Sequence, residues 1–497
     1  MAEYAIWQTW GPMFSSHRYR GQPLGVSYTD GVDTRFNDIM VPGIAFSSLD
    51  LNVGGTAANA NGIALATVSS VVYAYIIRGT DPARVRLSSM AVTDPGISLA
   101  ERATGVLTTV NGSGTQAVTF FMDGTVYSTI TTFTPAGSDS VTAHASQKIT
   151  IGGLAGNLVA GFNGQKAYSL DLSGSATMQG GTWVERATYN GSQVTPTGFA
   201  TDGITWVWGT SAGPLILNPV RNTFELAFDP VAKSSQNCAQ MKSLPTVGTL
   251  IPMERVLMHL QDGSISVHTG PESFEENEGT IMGTVTALDF DGDWGIMAVR
   301  NSEDSLTYFV AFRPRQQEDG HGEMLSFYCI GKSANACEVI RYTSTLGGRT
   351  NPTWILGDAD DAVYITAGRT SKWIDDANYA FATDVTQSAY MTELRAMPGE
   401  DILPRAFFFE TSGTTEAQYV DLYVSVNGGT AQYVGRADRP GRLRFDLGGA
   451  LSDTRCWRIQ PILKLYNASG TSGYPAVVGP LHMEYDVVPA DMAQVSR

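Results

Sequence analysis

"VLMHLQDGSISVHTG", Val256–Gly270, reads as two short strands around Asp262-Gly263. Asp-Gly favours a type I′ turn, because both central residues of that turn take positive φ. If the turn holds only those two residues, Leu260 faces Ile265 and Met258 faces Val267, which makes one apolar face. His259 then faces Ser266, and Leu257 faces His268.

The same grammar recurs along the chain. Apolar strand, turn of Gly, Asn, Asp or Ser, and alternating strand appear in Ser70–Ser88, Ala117–Phe133, Leu158–Leu172, Ile204–Pro219, Trp294–Pro314 and Asp361–Asp375. With the opening stretch that makes seven hairpins, spaced as expected of four-stranded propeller blades. A second element precedes most of them, a short apolar strand that ends in a Gly-rich or acidic turn. Examples are "GIALATV" (62–68), "TGVLTTV" (104–110), "KITIGGLAGN" (148–157), "TGFATDG" (197–203), "GTVTALDFDGD" (283–293) and "TNPTWILGDADD" (350–361). Small residues suit a crowded inner position, so these segments are expected nearest the centre of a ring. One hairpin cannot bury its apolar face alone, whereas a ring of sheets packed face to face can.

Composition agrees. The chain has 497 residues, 43% of them hydrophobic, which excludes global disorder, and its 53 glycines disfavour helix and suit many tight turns. Thirty-two bases against 48 acids, a net charge of −16, argue against a nucleic-acid surface. The N-terminus "MAEYAIWQTWGPMFSSHRYR" lacks the basic start, apolar run and small-residue cleavage site of a secretory signal. The most apolar tract, 62–77, is interrupted by Ser69 and Ser70 and reads as strands, not as a membrane span. Synthesis in a cytoplasm and no membrane insertion are expected.

The C-terminal part differs. "PGEDILPR" (398–405) reads as a connection. After it come six longer alternating strands: "RAFFFET", "QYVDLYVSVNGG", "AQYVGRAD", "GRLRFDLGG", "RCWRIQPILKLYNAS" and "VVGPLHMEYDVVP". They fit one antiparallel sandwich. The expected organisation is all-β: residues 1–24 an N-terminal arm or a segment closing the propeller, 25–395 a β-propeller of about seven blades, 396–490 a C-terminal antiparallel β-sandwich, and 491–497 a loose tail.

This tail carries a resemblance. "YVDLYVSVNGGTAQYVGRA" and "CWRIQPILKLYNASGTSGYPAVVGPLHMEY" resemble the closing pattern of tailed-bacteriophage minor tail and tail-hub proteins, which pair a β-propeller with a C-terminal β-sandwich. The matching positions are Arg458, Gln460, Leu463, Leu465, Pro475, Val477, Leu481, Glu484 and Tyr485, within residues 380–490. The resemblance implies a non-enzymatic virion component of the tail, acting in assembly and in host attachment. Its partners would be other copies of itself, neighbouring tail proteins and a host-surface glycan or receptor. The alternatives are a carbohydrate-binding propeller adhesin and a glycoside hydrolase or sialidase-like enzyme.

No cofactor, metal or catalytic residue is assigned, but several groups are candidates. His259 and His268 lie diagonally on one hairpin face, where a zinc ion would need further ligands; packing is the plainer account. Sister hairpins place Phe120 and Tyr127, or Trp206 and Leu215, near that level. Asp289, Asp291 and Asp293, and likewise Asp358, Asp360 and Asp361, are alternating carboxylates on turns that could meet Ca²⁺, without the spacing of an EF-hand loop. Cys329 and Cys337 sit symmetrically about Ser333; in a hairpin they would face each other, as a disulfide or as two reduced thiols. The four cysteines (Cys238, Cys329, Cys337 and Cys456) show no C-x-x-C spacing. Glycosidase chemistry needs a carboxylate pair, or a tyrosine among arginines. Arg186, Arg221, Arg255 and Arg300 could converge in a channel, and "SGSATMQGGTW" (173–183) vaguely resembles a sialidase Asp-box without its aspartate. Trp7 and Trp10 suit either an arm that docks on a neighbour or a strand that closes the ring.

Overall fold

The computed structural model describes residues 3–11, 17–19, 22–36, 38–43, 47–50, 60–68, 71–78, 83–86, 91–94, 105–110, 117–122, 126–131, 140–144, 149–171, 182–201, 205–211, 213–218, 221–226, 242–244, 248–252, 257–261, 264–268, 283–291, 294–301, 307–316, 323–333, 337–341, 353–357, 361–365, 381–447, 451 and 454–490. Among them the chain is all-β and forms several separate sheets.

Five N-terminal strands come first: β1 (Glu3–Trp7), β2 (His17–Tyr19), β3 (Val26–Asp30), β4 (Val32–Asp33) and β5 (Ile39–Pro42), followed by β6 (Ser47–Asp50). Then come seven four-stranded antiparallel sheets. The first holds β7 (Ala60–Val68), β8 (Val71–Arg78), β9 (Ala83–Arg86) and β10 (Ala91–Thr93). The second holds β11 (Gly105–Val110), β12 (Ala117–Met122), β13 (Val126–Thr131) and β14 (Ser140–His144). The third holds β15 (Ile151–Ala155), β16 (Leu158–Phe162), β17 (Lys166–Asp171) and β18 (Trp183–Thr188). The fourth holds β19 (Pro196–Thr201), β20 (Trp206–Thr210), β21 (Leu215–Asn218) and β22 (Thr223–Leu226). The fifth holds β23 (Lys242–Leu244), β24 (Gly248–Pro252), β25 (Leu257–Gln261) and β26 (Ser264–His268). The sixth holds β27 (Gly283–Asp291), β28 (Trp294–Asn301), β29 (Thr307–Gln316) and β30 (Glu323–Ser333). The seventh takes only three strands from its own stretch, β31 (Cys337–Arg341), β32 (Thr353–Gly357) and β33 (Asp361–Ile365); its fourth is β6, paired to β33 from Asp361↔Asp50 to Tyr364↔Ser47.

The first strands of these sheets are one another's neighbours. β7 lies beside β11, β11 beside β15, β15 beside β19, β19 beside β23, β23 beside β27, β27 beside β31, and β31 beside β7. Close approach explains their small residues. Gly153 on β15 has no room for a Cβ, because the ring of Phe199 on β19 occupies that space. Phe162, Trp206, Trp208 and Leu217 fill the core between the third and fourth sheets. Phe199 and Trp208 pack there with ring centroids 4.5 Å apart.

The remaining strands are β34 (Thr386–Met391), β35 (Glu393–Arg395), β36 (Glu400–Ser412), β37 (Gln418–Val426), β38 (Gln432–Ala437), β39 (Gly441–Asp446), β40 (Arg458–Asn467) and β41 (Ala476–Pro489). They form two sheets, but not by themselves. The six-stranded sheet runs β39-β36-β41-β5-β4, with β1 also on β41; the seven-stranded sheet contains β2, β35, β40, β34 and β3, with β37 and β38 on the other side of β40. Both enclose one hydrophobic core, in which Trp7, Leu24, Val26 and Met40 meet Phe407, Leu422, Leu463 and Leu481.

The strands therefore divide the chain differently from the expected boundaries at 24/25 and 395/396. Residues 3–11 are neither a free arm nor the segment that completes the seventh sheet: β1 pairs with β41 in register Glu3↔Tyr485 to Trp7↔Leu481. β3 and β34, both expected in the propeller stretch, pair with each other, and β34 pairs with β40 of the C-terminal strands. The reason is burial: Trp7 is 0% exposed, and an indole of that size needs the core that β36 and β41 supply. β6 completes the seventh sheet instead. "PGEDILPR" is not a connection either, since β36 begins at Glu400 within it. Asn427 and Gly428, at φ 54° and 73°, make the positive-φ turn that follows β37.

Candidate interaction surface

The register Leu257↔His268, Met258↔Val267, His259↔Ser266 and Leu260↔Ile265 is the one the two-residue turn requires. This hairpin, however, is the third and fourth strand of its sheet, whereas β12–β13, β16–β17 and β20–β21 are second and third strands. β24, the second strand, has no apolar-turn signature and shifted the count, so His259 and His268 do not correspond to Phe120 and Tyr127 or to Trp206 and Leu215. The segment "TNPTWILGDADD" likewise supplies β32, a second strand; the first is β31.

Cys329 and Cys337 do not face each other across a hairpin. Cys329 lies on β30, opposite Val310, and Cys337 begins β31 in the next sheet, opposite Gly357. Asp289 and Asp291 sit on β27 opposite Ile296 and Trp294. Asp361 opens β33 opposite Asp50. Asp293, Asp358, Asp360, Arg255, Cys238 and 173–181 lie outside the described residues. Among the described residues, no three His, Cys, Asp or Glu side chains are grouped to hold a metal ion.

Among the described residues, Arg186, Arg221 and Arg300 do not lie on the first strands. Arg186 is on β18, a fourth strand, where its Nε donates to Ser169 Oγ at 2.6 Å. Arg221 precedes β22, another fourth strand, and Arg300 is on the second strand β28. Trp7 is fully buried and Trp10 half-buried, so Trp7 is core and not a docking aromatic.

The residues that carried the resemblance do structural work in the two-sheet unit. Leu463, Leu465, Val477, Leu481 and Tyr485 are in its core, and Pro475 is buried beside it. Gln460 Nε2 donates to the Met391 carbonyl at 2.9 Å, Tyr485 Oη donates to Glu3 Oε2 at 3.0 Å, Arg458 pairs with Glu393 at 3.3 Å, and Glu484 pairs with Arg444 at 3.0 Å.

The chemistry that remains lies on the outward faces of that unit. On the six-stranded sheet, Arg444, Phe408, His482 and Ile6 form one cross-strand row. Phe408 and His482 stack at 4.8 Å and 5°, Tyr4 meets Phe408 edge-on at 6.2 Å, and the Arg442 guanidinium sits 4.8 Å over Phe408. Tyr4 and Ile6 are 58% and 51% exposed. Burial first, and the neighbouring Arg442 charge second, hold the His482 imidazole below the usual histidine range.

The seven-stranded sheet carries a larger array. Tyr433, Tyr423, Ile462, Tyr390 and Tyr28 form one row across five strands. The adjacent row reads Arg436, Asp421, Lys464, Ser388 and Asp30, and a third reads Tyr419, Tyr466 and Thr386. Tyr419 and Tyr466 stack at 5.2 Å, and Tyr28 and Tyr390 at 5.3 Å. Arg436 sits 3.5 Å over Tyr419 while its Nε and Nη2 donate to the two oxygens of Asp421 at 2.7 and 2.9 Å. That carboxylate is the main reason the guanidinium is held more firmly charged than usual. Lys464 Nζ lies 4.2 Å over Tyr423. Burial raises the phenol pKa of Tyr390, with Asp30 adding to it, and burial followed by Asp421 raises that of Tyr433. Sequence reasoning missed this face. The signal was there: "QYVDLYVSV" carries Tyr419 and Tyr423 four residues apart, on one face of a strand, and "QYVGRA" and "LKLY" add Tyr433 and Tyr466, where the solvent side of a half-buried strand is usually polar.

No family model matches the chain, and no curated protein matches it. Among solved structures it is similar to a chain of the mitotic checkpoint complex, at 10% identity and a TM-score of 0.44, over 65% of this chain and 93% of that one. It is also similar to the extracellular domain of a putative hybrid two-component system, BT4673, of B. thetaiotaomicron, at 12% identity and a TM-score of 0.40, over 64% of this chain and 39% of that one.

Proposed function

We propose that the chain is a seven-bladed β-propeller joined to a β-sandwich, and that it serves as a non-enzymatic structural protein of a tailed-phage tail. In the propeller reading the seven four-stranded sheets are blades, their first strands line the centre, and β6 closes the ring by completing the last blade. In the sandwich reading β1–β5 are woven into the C-terminal strands, so both ends of the described chain sit in one unit. Such a body works through its surfaces, by docking onto neighbouring tail proteins and onto host-surface groups, and it resides in the virion.

The observation that carries the assembly reading is the pair of aromatic and cationic arrays on the outward sheet faces. A strand face turned to water is ordinarily polar, whereas Tyr and Arg concentrate where proteins dock. The phage assignment rests on the resemblance of residues 380–490. Peptide mass spectrometry of purified virions tests it. The chain is expected among the stoichiometric tail proteins, and its absence from intact particles would refute the assignment.

A glycan-binding adhesin is the second reading, favoured by Tyr433, which stands 53% exposed beside Tyr423. Saturable binding of a monomer on a glycan array would favour it over assembly.

A further inference from the structure

We infer that the tyrosine face of the seven-stranded sheet is the contact by which one copy of this chain docks onto an acidic surface of another. The inference rests on the assembly reading in taking the partner to be a second copy.

Six of the chain's 20 tyrosines stand on this one face, in register across strands β38, β37, β40, β34 and β3. Five strands about 4.8 Å apart and five residues per strand at about 3.4 Å give a footprint of roughly 400 Å² before side-chain relief, about half the ~800 Å² per partner of a standard interface. Shape and chemistry then choose the partner. The stacked pairs have centroids 5.2 and 5.3 Å apart, close to the strand spacing, with planes within 27° of parallel. Their rings therefore stand up from the sheet and turn their π faces toward each other. What they offer outward is ring edges, which carry positive partial charge, and phenol hydroxyls. A sugar that stacks on aromatics needs an open ring face, whereas each stacked pair turns one face of both rings inward and Arg436 lies over the Tyr419 ring. Acceptor-rich protein surface suits them better.

Charge points the same way. The face carries Arg436, Lys464, Arg458 and Arg395 against Asp421, Asp30 and Glu393, one net positive charge on a chain whose net charge is −16. Asp421 is already held by Arg436 through two hydrogen bonds, and Lys464 makes no ion pair among the described residues. Lys464 and the tyrosine edges thus face outward as donors. Elsewhere the chain is more acidic than its average, so another copy supplies the complement. Such a contact is heterologous, and repeated it builds a ring where its rotation closes and a filament where it does not.

The test mixes ¹⁴N- and ¹⁵N-labelled full-length chain and treats it with a zero-length carboxylate–amine cross-linker. Mixed-isotope cross-links are expected from Lys464 to Asp or Glu outside this face. Sedimentation velocity is expected to show self-association that weakens with added salt, and about tenfold weaker for Lys464→Glu combined with Tyr433→Ser. Lys464→Arg should associate like wild type, which separates loss of charge from misfolding. Self-association that is unchanged in the double variant, or a monomer with no mixed cross-link at Lys464, would overturn the inference. So would glycan binding by a monomer that the double variant abolishes. Recovery of the chain from virions without the Lys464 cross-link would defeat this inference alone; absence from virions would defeat the phage assignment and leave the self-contact measurable.

Discussion

The indole nitrogen of Trp7 donates a 2.9 Å hydrogen bond to the carbonyl oxygen of Thr392, 385 residues further along the chain. Nearby, the Thr392 side-chain oxygen accepts from the Gly25 amide at 3.2 Å. A buried tryptophan with its one polar atom satisfied thus joins β1 to the segment between β34 and β35. The first strand of the chain is therefore a structural part of the C-terminal sheets.

Trp7→Ala should destabilise the two-sheet unit by about 3–5 kcal/mol, the usual cost of removing a buried aromatic. Trp7→Phe keeps most of the volume and leaves the Thr392 carbonyl without its donor, so a loss of about 1–3 kcal/mol is expected. Urea unfolding, followed for each variant, checks both values and their order.

Gly153→Val should break the fit between the third and fourth sheets. A Cβ at that position runs into the Phe199 ring, which is itself packed against Trp208. Overpacking of this kind costs about 1–3 kcal/mol. Pairing the change with Phe199→Ala should recover part of the loss, and a double-mutant cycle on thermal stability measures the coupling.

His482 should give stability a pH dependence on the acid side of neutrality. Its folded pKa lies below the ordinary value, so the unfolded chain takes up the proton first as pH falls. This contribution is complete above about pH 6.5 and is lost as pH drops from there through the folded pKa. Stability curves from pH 7.5 to 5 should lose this slope in His482→Phe, which keeps the stack on Phe408.

Cys456 should resist alkylation in the native protein. Burial first, and the nearby Asp401 charge second, push its thiol up to about 12, and its sulfur donates to the Ile402 carbonyl at 3.3 Å. Site-resolved mass spectrometry after iodoacetamide at pH 8 should show Cys456 unmodified until denaturant is added.

Local pattern made much of the fold readable. The Asp262-Gly263 turn set the register from Leu257 to His268, and alternation marked the six long strands from β36 to β41. Three features stayed hidden for physical reasons. β24, "GTLIP", is too short and plain to signal a strand, and missing it displaced the two histidines by one strand position. The pairings of β1 with β41 and of β6 with β33 bridge most of the chain, and nothing in a strand of four or five residues names a partner so distant. The tyrosine face depended on register among five strands, so Tyr28, Tyr390, Tyr423 and Tyr433 could be aligned only after pairing was known.

Electron cryo-microscopy of purified phage virions is the most direct test of the proposed role as a tail component. The account predicts density in the tail for a ring of seven four-stranded sheets, closed by residues 47–50 and attached to a two-sheet body that holds both residues 3–42 and 386–489. Tails whose density is fully explained without this chain would contradict it.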